Sequence, residues 1–199
     1  MARQEHQKRG EWGSFIAVLL IAALIAAWAL IPVRAFEETW QAEQSQLVAW
    51  AGEATHRWIT MQAAGIMADT AKEASKAAKD LGGSQIEKWL TDRIYASLLW
   101  TNVVVYRAYT LMMWALLGMP LILAASIDGF YVREIRKTAF ISQSPIRHKI
   151  GVHFFRLVSV AMVLWLFLPA PMPIIAAPAV VCFMALSLWL WMGNLQKRL

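Results

Sequence analysis

Side chains able to do chemistry are few in this chain: four histidines, one cysteine and thirteen carboxylates among 199 residues. A metal centre needs several His, Cys, Asp or Glu side chains to converge on one point. Only His148 and His153 lie near each other, and Lys149 between them would repel a cation. His6 and His56 stand apart from any cluster. A phosphate-cradling glycine loop, an HExxH pair and a GxSxG nucleophile turn are all missing. Cys182 is the single cysteine, so an internal disulfide framework and a cysteine-rich metal site are both excluded, and its apolar neighbours suit helix packing. The expectation is a protein without enzymatic activity, cofactor or metal.

The remaining polar chemistry is charge. Between two apolar runs lies a basic island, "SIDGFYVREIRKTAFISQSPIRHKIGVHFFR", holding Arg133, Arg136, Lys137, Arg147, Lys149 and Arg156. Such an island beside a hydrophobic segment reads as a topology anchor, a lipid-binding patch or a docking surface. Phe130, Val132, Ile135, Ala139 and Phe140 interleave with Arg133, Glu134, Arg136 and Lys137, a pattern suited to a short interfacial helix broken by "SQSP". Asp128, Arg133, Glu134, Arg136 and Lys137 are therefore the candidate partner-binding residues. Asp128 at a helix C-terminus opposes the helix dipole, so it is expected to pair with an arginine or to cap a turn with Gly129. A dedicated nucleic-acid binder would carry a larger basic surface; direct nucleic-acid binding is not expected.

The elements that carry these residues follow from hydrophobicity. The chain is 59% hydrophobic and 16% charged, and its apolar residues gather in windows near the ~20 residues that a membrane-crossing helix needs. Such windows show no strand alternation, which excludes a barrel. The fold class is thus all-α, a polytopic membrane protein with four transmembrane helices and a periplasmic helical hairpin, making membrane lipid one partner. The first span is assigned to 13–33 and read as a retained anchor, because its apolar run exceeds the core of a cleaved signal sequence. Ala22 with Ala26 and Ala23 with Ala27 would admit another helix there, consistent with a homo-oligomer.

The second span is assigned to 108–127, leaving Arg107 at the interface where its stem can snorkel. From Leu157 to Met192 no charge occurs in 36 residues. At ~1.5 Å per residue that is too long for one crossing. Pro169, Pro171, Pro173 and Pro178 supply a break, giving spans 157–173 and 174–192 with 128–156 as the basic loop between the second and third. The N-terminal tail, the island and the C-terminal tail carry eleven basic and four acidic residues, whereas 34–97 carries seven basic and nine acidic. The positive-inside rule then places both termini and the island in the cytoplasm of a bacterial inner membrane, and 34–107 in the periplasm.

That periplasmic arm reads as helical. Phe36, Trp40, Leu47, Trp50, Ala54, Trp58 and Met61 recur at spacings of three, four or seven, placing Trp40, Trp50 and Trp58 on one stripe that needs covering. The Ala-rich stretch that follows ends at Gly82 and Gly83, and Ser84 with Glu87 forms a capping box opening the next helix. The economical picture is a hairpin whose two legs extend the first two membrane spans.

Four stretches taken together, "WGSFIAVLLIAALIAAW", "EETWQAEQSQLVAWAGE", "SIDGFYVREIRK" and a proline-broken terminal hairpin ending in "LQKRL", resemble a family of small inner-membrane proteins of unknown function encoded by integrative conjugative elements. Of these, "DGFYVREIR" is the specific element. After it the family tends to carry Gly-Arg-Glu-Ser and then Tyr-His, where this chain reads "AFISQSPIRHKIG". The resemblance implies a non-enzymatic membrane subunit or adaptor in conjugative DNA transfer through a type IV secretion machine, beside the coupling ATPase. An accessory or stabilising subunit of another membrane complex, such as a transporter, is the alternative.

Overall fold

A computed structural model describes residues 18–19, 21–23, 25–26, 28–79, 85–139 and 145–195, and among these every regular element is a helix. They are α1 (Ile21–Leu30), α2 (Val33–Lys79), α3 (Gln85–Thr138), α4 (Pro145–Phe167) and α5 (Ala176–Gly193). Both polar tails, the start of the first span, Gly82, Gly83, Ser84 and most of the "SQSP" break lie outside the described residues. The chain is all-α to that extent. Three helices, α3, α4 and α5, are long and apolar enough to cross a membrane, while α1 is apolar but shorter.

Pro32 separates α1 from α2, so the two do not form one continuous helix. Proline has no N–H to give to α1 but is well placed at the start of the next helix, where the Ala35 amide bonds the Pro32 carbonyl at 3.0 Å. The larger departure from a simple two-legged hairpin comes within α2. Gly52 adopts φ 82° and ψ 162°, a backbone conformation open almost only to glycine, and it interrupts the helix. Before it, Phe36 meets Trp100, Trp40 meets Tyr106 and Glu43 meets Arg107, so this arm runs parallel to α3. Beyond it, His56 bonds Tyr106, and Thr60, Ala64 and Met67 share a cavity with Trp40, Leu98 and Asn102. The second arm therefore returns antiparallel. Leu47 and Ile59, either side of the turn, bury together against Tyr106. The result is a three-helix bundle made of two arms of α2 and the first half of α3.

The same reversal splits the tryptophan stripe. Trp40 packs edge-on against Tyr106, and Trp58 meets Tyr109 but stays 43% exposed, while Trp50 beside the turn is 61% exposed. One continuous helix would keep the three on one face; two arms do not.

The second half of α3 belongs to another layer, in which α5 packs against both α3 and α4. This layer turns its large apolar side chains outward: Leu117, Leu157 and Phe183 are among many that are half exposed or more. Close approach near one end needs missing side chains. A Cβ on Gly129 would stand 2.9 Å from the Trp189 carbonyl oxygen, and one on Gly151 2.9 Å from the Trp191 nitrogen.

Both helices flanking the basic island are longer than the sequence reading has them. The stretch Phe130–Lys137 forms the last turns of α3 and not a separate surface helix, and α4 already begins at Pro145. The break between α4 and α5 falls over 168–175, across Pro169, Pro171 and Pro173, whereas Pro178 lies in the first turn of α5.

Gly52→Ala tests the fold-back. Nothing lies within 4 Å of a Cβ at Gly52, so any cost is backbone strain alone. Thermal unfolding in detergent should show a loss of about 1–3 kcal/mol. Gly65→Ala, inside the second arm and equally uncrowded, should be neutral or stabilising. Equal effects at both positions would contradict the turn.

Candidate functional site

Two polar assemblies stand out, one where the bundle meets the apolar layer and one at the opposite end of that layer. At the junction, Arg107 and Glu43 are buried almost completely. Arg107 Nε donates to the two Glu43 carboxylate oxygens at 3.1 and 3.0 Å, and Nη2 also bonds Oε1. The remaining hydrogens reach the carbonyls of Trp165 at 2.7 Å, Leu168 at 2.8 Å and Ala170 at 2.7 Å. Trp165 lies in the last turn of α4 and Leu168 directly follows its end, where the dipole is negative, so the guanidinium acts as a side-chain cap, while Ala170 belongs to the proline loop beyond.

The expectation that Arg107 snorkels to an interface is thus corrected. Arg107 directly precedes the uncharged run 108–127, but its head turns inward because a carboxylate and several main-chain carbonyls lie there. Prolines leave the α4–α5 loop with few amide donors. Two of those that remain are taken by α2: Met172 N–H by Glu43 Oε1 at 3.1 Å and Ile174 N–H by Gln46 Oε1 at 3.0 Å.

Arg93 repeats this device one bundle-length away, donating to the carbonyls of Trp28 and Ile31 at 2.8 Å, where α1 ends. Trp28 returns a bond from Nε1 to Ser97 at 2.7 Å. Fourteen residues separate Arg93 from Arg107, so the end of α1 lies roughly 21 Å along α3 from the junction.

Arg136 is a third instance, with Nη1 3.3 Å from the Gly193 carbonyl and 3.1 Å from Asn194 Oδ1 at the end of α5. Here the island residues are found. Asp128 accepts from Trp189 Nε1 at 2.6 Å, not from an arginine or its own turn. Glu134 and Lys137 form an ion pair one turn apart, and Arg133 is half buried with its Nε unpartnered. The five candidates therefore share the last turns of α3, but Asp128 and Arg136 face α5. His148 is half buried and His153 exposed on α4, and Cys182 is exposed on α5.

Sequence reasoning missed Glu43, Gln46, Arg93, Trp189 and Asn194. A signal for Glu43 was present: it falls at the same helical spacing as Phe36, Trp40 and Leu47, an acid on an apolar face that Arg107 could answer. For Arg93 no such signal exists, since its partners are main-chain carbonyls.

Every described element is a helix, and the three that are long and apolar enough to cross a membrane meet the bundle at the Arg107–Glu43 pair, which places the chain among helical membrane proteins. Residues 29–196 match the family described as IncC plasmid conjugative DNA transfer protein DtrJ-like, and the chain belongs to that family. No curated protein and no solved structure matches it.

Replacing either partner of the junction pair isolates the other in a buried site. Glu43→Ala and Arg107→Ala should each cost about 3–5 kcal/mol in detergent unfolding. The double variant should cost less than their sum because both remove one shared interaction. Glu43→Gln, which keeps an acceptor for Met172 and Arg107, should lose less than Glu43→Ala.

Proposed function

We propose that this protein is a non-enzymatic inner-membrane subunit of a conjugative DNA-transfer apparatus of the type IV secretion kind, acting as an adaptor for the coupling ATPase. Membership of a conjugative DNA-transfer family is the observation that carries the reading. Three apolar helices support the membrane setting, and the excess of Arg and Lys around the α3–α4 connection supports a cytoplasmic position for that end. In this arrangement α3, α4 and α5 cross the inner membrane and the bundle over 33–107 stands in the periplasm.

The N-terminal stretch 13–33 is the fourth span, bringing both termini to the cytoplasm. With the end of α1 about 21 Å along α3 from Arg107, it enters the same bilayer only when Arg93 releases the carbonyls of Trp28 and Ile31. Alkaline phosphatase fused after Ser75 should be active and after Gln143 inactive. A cysteine at Ala2 should react with an impermeant thiol reagent only in opened cells. Labelling of Ala2→Cys in intact cells would leave three spans and an external N-terminus.

The docking surface for the ATPase is the solvent side of the last turns of α3 and the first turns of α4. Arg136 caps α5, so charge reversal there would disturb the fold as well as binding. Arg133→Glu combined with Lys137→Glu separates the two, since Arg147, Lys149 and Arg156 still hold the connection inside. Like-charge contacts against an acidic partner should abolish co-purification of the ATPase and lower mating frequency while protein level and fusion topology stay normal. Undiminished transfer would reduce the island to an anchor.

A further inference from the structure

Near the end of α5 that Arg136 caps, α3, α4 and α5 leave a cavity of about 190 Å³ between them. Two cations line it, Arg136 from α3 and Arg147 from the first turn of α4, and the walls are Val132, Ile150, Trp189 and Leu190. No carboxylate is among its lining residues. The acids closest in sequence are engaged: Asp128 accepts from Trp189, and Glu134 pairs with Lys137. Arg136 spends Nη1 on Gly193 and Asn194, while Arg147 has no ion-pair partner among the described residues. The segment 140–144, "FISQS", brings no acid either. Because α4 starts at Pro145, Arg147 also stands at the positive end of that helix dipole.

Two cations without an ion-pair partner among the described residues, together with a helix N-terminus, call for an anion, whereas four apolar walls call for hydrocarbon. One molecule offers both. Ile150 and Leu157, 53% and 64% exposed, continue the apolar lining along α4 toward the bilayer interior. We propose that the cavity binds the phosphodiester headgroup of an acidic phospholipid, its acyl chains lying along Ile150 and Leu157. The inference rests on the reading that α3, α4 and α5 cross a bilayer, because the cavity then lies at headgroup depth. A DNA backbone fits less well: it presents phosphates across an open, polar surface, not to a small apolar-walled recess.

The full chain is reconstituted into nanodiscs of phosphatidylcholine with an equal share of phosphatidylglycerol, and native mass spectrometry counts the lipids retained on release. Wild type should keep phosphatidylglycerol in preference to phosphatidylcholine. Arg147→Gln should lower that preference about fivefold, the effect of removing one cation near an anionic headgroup. Arg147→Lys should restore most of it, and Lys149→Gln, outside the cavity, should match wild type. No preference in wild type, or equal behaviour of Arg147→Gln and Lys149→Gln, overturns the site while leaving the spans intact. Displacement of the lipid by millimolar inorganic phosphate would make it a free-anion site. Arg147-dependent binding of a short DNA duplex that phosphatidylglycerol does not compete would make it a nucleic-acid contact. Failure of the chain to enter discs at all would overturn the membrane reading, and this one with it.

Discussion

A buried arginine can remain charged only if its surroundings replace water, and the junction is organised around that requirement at Arg107. A carboxylate alone would balance its charge but leave hydrogens unpaired; carbonyls alone would pair the hydrogens but leave the charge. Glu43 and the open end of α4 supply both. The bundle and the apolar layer are held together by this constraint, because α2 reaches the α4–α5 unit through the proline loop, on which Glu43, Gln46 and Arg107 converge.

The same solution recurs along α3. Arg93, Arg107 and Arg136 cap the C-terminal carbonyls of α1, α4 and α5 in turn. A single 54-residue helix thereby fixes where three others end. Pro120 lies within it and does not end the helix. Each cap satisfies main-chain groups that would otherwise be costly away from water, whichever side of a membrane they face. A helix braced at three levels is suited to holding the bundle at a set height above the apolar layer.

Helical class, the apolar runs and the proline break were legible because each is a local property: length of hydrophobic run, spacing of side chains, absence of an amide proton. Trp50 leaves the stripe and is exposed: helical spacing assumes a straight helix, and Gly52 turns the chain beside it. Asp128 was assigned an arginine or turn partner when its true donor, Trp189, lies 61 residues on. Trp189 looks like an interfacial anchor until α5 is laid against α3.

By itself the sequence determined which segments are helical and apolar, where charge accumulates, and the resemblance that points to conjugative transfer, because these depend on composition and near neighbours. Only the tertiary structure decided that α2 doubles back, that Glu43 and Arg107 share one buried site, and that Arg136 faces the end of α5. Those outcomes depend on which distant groups meet when helices pack. A charge looks the same in the sequence whether solvent, a carboxylate or an uncapped helix end will answer it.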